Sequence, residues 1–255
     1  MKNLQGKSVL VCGGATGIGA ATVRRLAEHR ARVGIGDLNH SGALELAAEL
    51  VAGGADVVAW HYDQASEVSI NALVEQAAQH FDGLHGWFAN VANLGVIMQD
   101  ADVLQNSAQI WDDTLRVNVV GTALLIKAAL PHMLAASSGA IVLTSSEAHA
   151  VGEPERPAYA ASKAAVNSLC RHIASKWGTQ GIRCNVVSPG FVLTEQLDAN
   201  MPQEMKDWML KGARSTRHGA AEDIAGAVAF LYHRMGGSAF FQCKDLMYGA
   251  DQCAI

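Results

Sequence analysis

Short runs of β-branched and apolar residues alternate along the chain with longer segments whose apolar positions recur at helical spacing. Residues 8–12 read as a strand, 17–30 as a helix, 31–36 as a second strand, and 41–51 as a helix closed by Gly53 and Gly54. A third strand follows at 55–60. The helix at 66–81 has Ser66 as its N-cap and carries Val68, Leu73, Val74 and Ala77 on one stripe. Residues 84–89 form the fourth strand, and 111–136 a long helical region bent near Gly121 and Pro131. The fifth strand is 140–145. Pro157 opens a helix that runs to residue 177, and a sixth strand at 182–187 is stopped by Ser188, Pro189 and Gly190. A last clear helix spans 221–232, and 239–246 reads as a seventh strand. Strands alternating with crossover helices predict a doubly wound α/β fold, a single domain (1–255) with a mostly parallel sheet of about seven strands.

Composition narrows what such a fold does. Of 255 residues, half are hydrophobic and 17% charged, enough apolar material for one large core and too little charge for a disordered chain. Nineteen basic against 24 acidic side chains leave a net charge of −5, so no basic stripe is available for nucleic acid. The most apolar stretches, 119–130 and 224–232, are shorter than the ~20 residues of a membrane span, and Lys127 interrupts the first. Residues 1–7 are polar and show no secretory signal. Five cysteines, with no CxxC pair and no ligand spacing against the ten histidines, read as reduced thiols in a cytoplasm and give no metal site.

The chemistry starts directly after the first strand. Gly13-Gly14-Ala15-Thr16-Gly17-Ile18-Gly19 opens a helix, where glycines let the backbone approach a pyrophosphate and the helix N-terminus stabilises its charge. Placed within a strand-loop-helix-strand unit, this is the glycine turn of a dinucleotide-binding Rossmann fold. Asp37 ends the second strand about 20 positions on, where a carboxylate accepts hydrogen bonds from ribose hydroxyls and repels a 2′-phosphate. Leu38 follows with no Arg or Lys, and Thr16 stands in the loop where a basic residue would read the phosphate, so NAD is predicted over NADP.

Further along, Tyr159 and Lys163 stand four residues apart at the start of a helix and face the same way. A phenol with a pKa of about 10 is a poor base, and a neighbouring ammonium favours its ionised form. With its companions, the pair resembles the short-chain dehydrogenase/reductase family over nearly the whole chain. The glycine loop fits the family's TGxxxGxG, Asn90 the first Asn of NNAG, and Asn118 its helical Asn. Ser146 lies thirteen positions before Tyr159, and Ser188-Pro189-Gly190 with Thr194 fits PGxxxT.

The resemblance implies a catalytic tetrad. Ser146 would hold the substrate oxygen, Tyr159 exchange its proton, Lys163 lower the tyrosine pKa and bind the nicotinamide-side ribose, and Asn118 hold a relay water. It further implies that Gly13, Thr16, Gly17, Ile18, Gly19, Asp37, Leu38, Asn90, Tyr159, Lys163, Pro189, Gly190, Val192 and Thr194 contribute to the cofactor site, and that Asp63 meets the adenine. Hydride would pass between the nicotinamide and a secondary alcohol or ketone. Tetrameric or dimeric assembly is a further implication. An oxoacyl-type biosynthetic ketoreductase and a dinucleotide-sensing regulator are the alternatives, the latter opposed by the presence of Ser146, Tyr159 and Lys163.

Some positions depart from the family pattern. Cys12 replaces the Thr before the first glycine, Val91 and Asn93 replace the second Asn and the Gly of NNAG, and Met247 replaces the Asp of the usual C-terminal DGG. Asn93, lacking glycine's freedom at positive φ, is expected to reshape its loop. Residues 190–220 correspond to a substrate lid rich in apolar side chains, including Leu197, Met205, Trp208 and Met209, which suits a bulky or cyclic apolar substrate unless these are core residues of a short helix. Arg214 and Arg217, if turned inward, would contradict that. Glu147, His149, Glu153 and Glu155 read as a solvated loop, with Glu147 alone close enough to Ser146 to compete for a role.

Overall fold

A computed structural model of the chain describes residues 4–213, 215–233 and 245–248. The alternation read from the sequence appears as β1 (Ser8–Cys12), α1 (Gly17–Glu28), β2 (Arg32–Asp37), α2 (His40–Ala52), β3 (Asp56–His61), α3 (Glu67–Phe81) and β4 (Gly86–Ala89). Then come α4 (Ala108–Leu115), a π-helical turn (Arg116–Gly121), α5 (Thr122–Ala135), β5 (Gly139–Thr144), α6 (Pro157–Trp177) and β6 (Ile182–Pro189). The helices α7 (Glu195–Asn200), α8 (Gln203–Gly212) and α9 (Ala221–His233) follow. Six parallel strands make the body of the sheet, in the order β3-β2-β1-β4-β5-β6, and β7 (Asp245–Tyr248) extends it along β6. The predicted seventh strand, 239–246, thus overlaps β7 only at its end, and its first residues, 239–244, lie outside the described residues, as do Cys243 and Cys253.

Both faces of the sheet are covered, which is why strands such as β1 and β6 are buried along their whole length rather than alternating. On one face Leu73, Leu125, Met133 and Ile173 pack from α3, α5 and α6 against Leu10, Trp87 and Ile141. On the other, Val23, Leu46 and Val228 from α1, α2 and α9 meet Val9, Ile35 and Val142. β1 pairs with β2 on one side and β4 on the other, so the winding direction reverses between β1 and β4. A crevice opens at the carboxyl ends of the strands at such a point, and this is where ligands of doubly wound sheets bind.

The long helical region is continuous over Ala108–Ala135, with Pro131 inside α5. Near Gly121 the predicted bend takes the form of the π turn, a helical widening that recurs at functional sites. A Cβ on Gly121 would lie 2.3 Å from the carbonyl oxygen of Gln64, so glycine is what lets the loop after β3 reach this turn. By length and composition this region could cross a membrane, which a reading confined to 119–130 missed. Here Asn118, Thr122, Leu125, Ala129 and Met133 are buried against the protein's own core. Ser66 caps α3 as predicted, its Oγ accepting the Ser69 N–H at 3.3 Å.

Candidate active site

The glycine loop joins β1 to α1 with Gly13 and Gly17 at positive φ. Gly19 belongs to the helix, and a Cβ there would sit 1.8 Å from the Gly13 carbonyl oxygen, so helix and loop touch backbone to backbone. No side chain caps α1, since Thr16 makes no capping hydrogen bond, and no acidic residue sits in the first turn. The first turn thus carries no negative charge of its own, an arrangement that suits an anion at the positive end of the helix. Ile18 turns back to the core formed with α2, and a Thr194 methyl lies 3.2 Å from where a Gly17 side chain would begin, placing Thr194 across the loop.

Around this loop the predicted residues converge from several strands. Asp37, at the end of β2, accepts the Ala15 N–H on Oδ2 and the Asn39 N–H on Oδ1, each at 2.9 Å, while Leu38 beside it is 68% exposed. Asn90, just past β4, donates from Nδ2 to the Gly13 carbonyl at 3.1 Å and from its backbone N–H to Cys12 at 2.9 Å. Asp63, after β3, holds a tight turn by accepting the Ala65 N–H at 2.8 Å. Pro189 ends β6, Gly190 follows, and Val192 forms a parallel bridge with Gly219, reinforced by the Leu193 N–H donating to the Gly219 carbonyl at 2.8 Å. The segment between Val192 and Gly219 is thereby pinned at its base.

Ser146 and Tyr159 meet on the other side of the crevice, the serine hydroxyl near enough to favour the ionised phenol. The Ser146 Oγ also accepts the Ala148 N–H, capping a short 3-10 turn over Glu147–His149. Lys163, one turn of α6 beyond the tyrosine, is 3% exposed, donates to the Thr144 carbonyl at 2.9 Å and lies 5.5 Å from the Tyr159 ring centre. Asn118 sits in the π turn, its Oδ1 accepting the Asn93 N–H at 2.9 Å and its Nδ2 donating to Ser162 Oγ at 3.0 Å. Ser162 in turn donates to the Tyr159 carbonyl at 2.7 Å, so a buried chain of hydrogen bonds runs from the NNAG-like loop to the tyrosine's own backbone.

Burial dominates the electrostatics. It pushes the Tyr159 phenol above its ordinary value, while the nearby Ser146 hydroxyl and the Arg156 guanidinium pull it down and Glu153 pushes it up. Burial also lowers the Lys163 ammonium to about 8. A phenol and an ammonium held in one desolvated pocket are groups whose proton affinities a bound substrate can move.

Several expectations change. Asn93 takes no positive φ; instead its Oδ1 accepts the Gly95 N–H and its Nδ2 donates to the Asp113 carbonyl, so the polar side chain does by hydrogen bonding what glycine does by flexibility. The run after Ser146 is more ordered than a solvated loop: His149 is half-buried with Nδ1 against the Ser146 carbonyl, and Glu153 pairs with Arg156 at 2.6 Å. Met205 and Trp208 are not core residues, being 51% and 72% exposed on α8. Arg217 pairs with Asp223 at the surface, whereas Arg214 lies outside the described residues. Among the described residues no group of three or more His, Cys, Asp or Glu is arranged around a metal position. The sequence reading passed over Asp100, Gln64 and Ser162, which act through contacts more than forty residues away and carry no local signal.

A glycine turn at the switch point of a parallel doubly wound sheet, with a half-buried Ser146 and Tyr159 beside a buried Lys163, defines the class as a Rossmann-type α/β protein with an oxidoreductase site. The family model described as enoyl-(acyl carrier protein) reductase matches residues 13–239. A probable short-chain type dehydrogenase/reductase of Bradyrhizobium diazoefficiens is 35% identical over 91% of this chain and 82% of its own length. The cis-4-hydroxycyclohexanecarboxylate dehydrogenase of Sinomonas cyclohexanicum is 38% identical over 87% of each chain, and the D-threitol dehydrogenase of Mycolicibacterium smegmatis is 37% identical over 89% of this chain and 86% of its own. The crystal structure of gox2181 superposes with a TM-score of 0.87 at 26% identity, covering 96% of this chain and 95% of that one. The chain belongs to the short-chain dehydrogenase/reductase family.

Proposed function

We propose that the protein is an NAD-dependent dehydrogenase that interconverts a secondary alcohol and its ketone on a bulky or cyclic, largely apolar substrate. The observation that carries this reading is the buried Lys163 ammonium, fixed on the Thr144 carbonyl and 5.5 Å from the Tyr159 ring centre, with the Ser146 hydroxyl near the phenol. Ser146 positions the substrate oxygen, and Tyr159 takes or gives its proton. Lys163 supplies a positive charge that stabilises the phenolate, and Asn118 ties the tyrosine's backbone to the π turn from which a proton relay leaves the site. Bound nicotinamide would supply the hydride chemistry.

The uncapped N-terminus of α1 and the Gly19–Gly13 contact suit the diphosphate of a dinucleotide. Thr194, Val192, Pro189 and Gly190 are ranged on the nicotinamide side, and Asp63 on the adenine side. The preference for NAD rests on Asp37 standing next to an exposed, uncharged Leu38. Support for a cyclic alcohol comes from a relative named for a hydroxycyclohexane carboxylate and from exposed Met205 and Trp208 on the 190–220 lid. We place the protein in the cytoplasm as a homo-oligomeric single-domain enzyme with no nucleic-acid or membrane partner.

The test is a titration of the purified protein with NADH and NADPH, followed by nicotinamide fluorescence, with product analysis on a panel of cyclic secondary alcohols. Tighter binding of NADH and formation of a ketone support the reading. Tighter binding of NADPH overturns the cofactor assignment, and the absence of any ketone overturns the reaction.

A further inference from the structure

Among the described residues, Asp100 is the one acidic side chain that is buried, at 3% exposure. It belongs to the loop between β4 and α4, yet its partners lie at the start of α6, 58 and 59 residues further along the chain. Its Oδ2 accepts the Tyr159 N–H at 2.8 Å and its Oδ1 the Ala158 N–H at 3.3 Å. The Asp100 backbone carbonyl takes the Arg156 N–H at 3.0 Å. The residue that would ordinarily cap this helix, Arg156, has φ +62 and makes no capping bond with its side chain. The cap is thus supplied from a distant loop, by a carboxylate facing the positive end of the helix.

The second arm of Asp100 reaches into its own loop. Oδ1 accepts from Asn106 Nδ2, and Asn106 Oδ1 accepts the Ala101 N–H at 2.9 Å. The same loop presents Leu94 and Met98 to solvent, at 66% and 92% exposure. One carboxylate therefore fastens this apolar loop to the turn of helix that carries the tyrosine.

We infer that Asp100 is a positioning residue for the reaction: by holding the Tyr159 N–H it sets where the phenol stands relative to Ser146. The inference rests on the function proposed above. Charge-assisted bonds to backbone N–H groups are stronger than neutral ones, and a displacement of about 1 Å in a reacting group costs on the order of a hundredfold in rate. On α6 Asp100 bonds only the first turn, one turn before Lys163 and away from the glycine loop between β1 and α1, so its loss bears on the phenol first. A positioning role therefore separates kcat from nucleotide binding, and a merely structural role does not.

The experiment compares Asp100→Ala, Asp100→Asn and the wild type in kcat, alcohol KM, NADH affinity and amide hydrogen exchange at Ala158 and Tyr159. In Asp100→Ala the kcat should fall roughly thirty- to a hundredfold, with KM and NADH affinity within about threefold and exchange at the two amides at least about tenfold faster. Asn retains an acceptor for the Tyr159 N–H, so Asp100→Asn should recover to within about tenfold of the wild type. Unchanged exchange in Asp100→Ala overturns the proposal. So does a kcat within about threefold of the wild type in Asp100→Ala, or a fall in kcat matched by an equal fall in NADH affinity. If Asp100→Ala does not fold, Asp100→Asn decides: kcat and amide protection must move in step there, and a loss of one without the other overturns the proposal. Exchange needs no turnover, so a wild type that oxidises no alcohol would sink the functional reading while the amides still report whether Asp100 holds the helix.

Discussion

Asp37 Oδ2 accepts the Ala15 N–H at 2.9 Å, so the carboxylate that is to read the ribose also holds the glycine loop in place. Cofactor choice and loop geometry are therefore joined in one side chain. Replacing Asp37 by Ser and Leu38 by Arg removes the negative charge and supplies a guanidinium suited to a phosphate. A lost charge-assisted bond of roughly 1.5 to 3 kcal/mol corresponds to a fall in kcat/KM for NAD of about ten- to a hundredfold. NADP use should rise in the same variant. Steady-state kinetics with both cofactors checks this, and a wild type that already favours NADP would show that Asp37 does not exclude the 2′-phosphate.

Gly19 provides a test of the loop itself. With 1.8 Å between its would-be Cβ and the Gly13 carbonyl, Gly19→Ala must push α1 off the loop. Overpacking of this kind costs roughly 1 to 3 kcal/mol, so the melting temperature should drop and NADH affinity fall at least about tenfold. Calorimetry and fluorescence titration read the two effects. Unchanged NADH affinity in a folded variant would place the diphosphate elsewhere.

Lys163 makes stability depend on pH in an identifiable window. Burial lowers its ammonium from an ordinary 10.5 to about 8. Between these values the unfolded chain binds more protons than the folded one, so this residue's contribution to stability rises with pH across the window. The penalty, roughly 3 kcal/mol at 1.36 kcal/mol per pH unit, is present in full below about 8 and gone above 10.5. Urea unfolding of wild type and Lys163→Met near pH 7 and pH 10 should show the difference moving in favour of the wild type by roughly 2 to 3 kcal/mol. A difference independent of pH would mean that the ammonium is solvated in the folded protein.

What the sequence revealed was whatever the chain encodes locally. Strands β1 to β6 and the helices between them follow from hydrophobic period and from punctuation by Gly and Pro, with their ends displaced by up to three residues because caps fray. The Tyr159–Lys163 spacing and the glycine loop are legible for the same reason, as each lies within a single turn or helix. Asp100, Gln64 and Ser162 are not, because their partners are fixed by tertiary contacts: Gln64 Nε2 donates to the Val117 carbonyl at 2.8 Å and so braces the π turn from another element. Asn93 departs from the family's glycine and proves to bridge its loop to α4 and the π turn, a substitution whose compensation lies in residues distant in sequence. The exposure of Met205 and Trp208 was equally hidden, since an apolar stripe at helical spacing reads the same whether it faces a core or a crevice.

The central claim is that Tyr159 handles the substrate proton in an NAD-dependent oxidation. The measurement is the rate of nicotinamide absorbance change with NAD over a panel of cyclic secondary alcohols, in wild type and Tyr159→Phe side by side, together with the NADH affinity of each. Wild-type turnover should be lost by on the order of a hundred- to ten-thousandfold in the variant, with NADH affinity held within a few-fold because the phenol adds little to dinucleotide binding. Turnover in Tyr159→Phe within about tenfold of wild type would contradict the role assigned to the phenol, and a wild type that reduces no NAD with any alcohol would contradict the account as a whole.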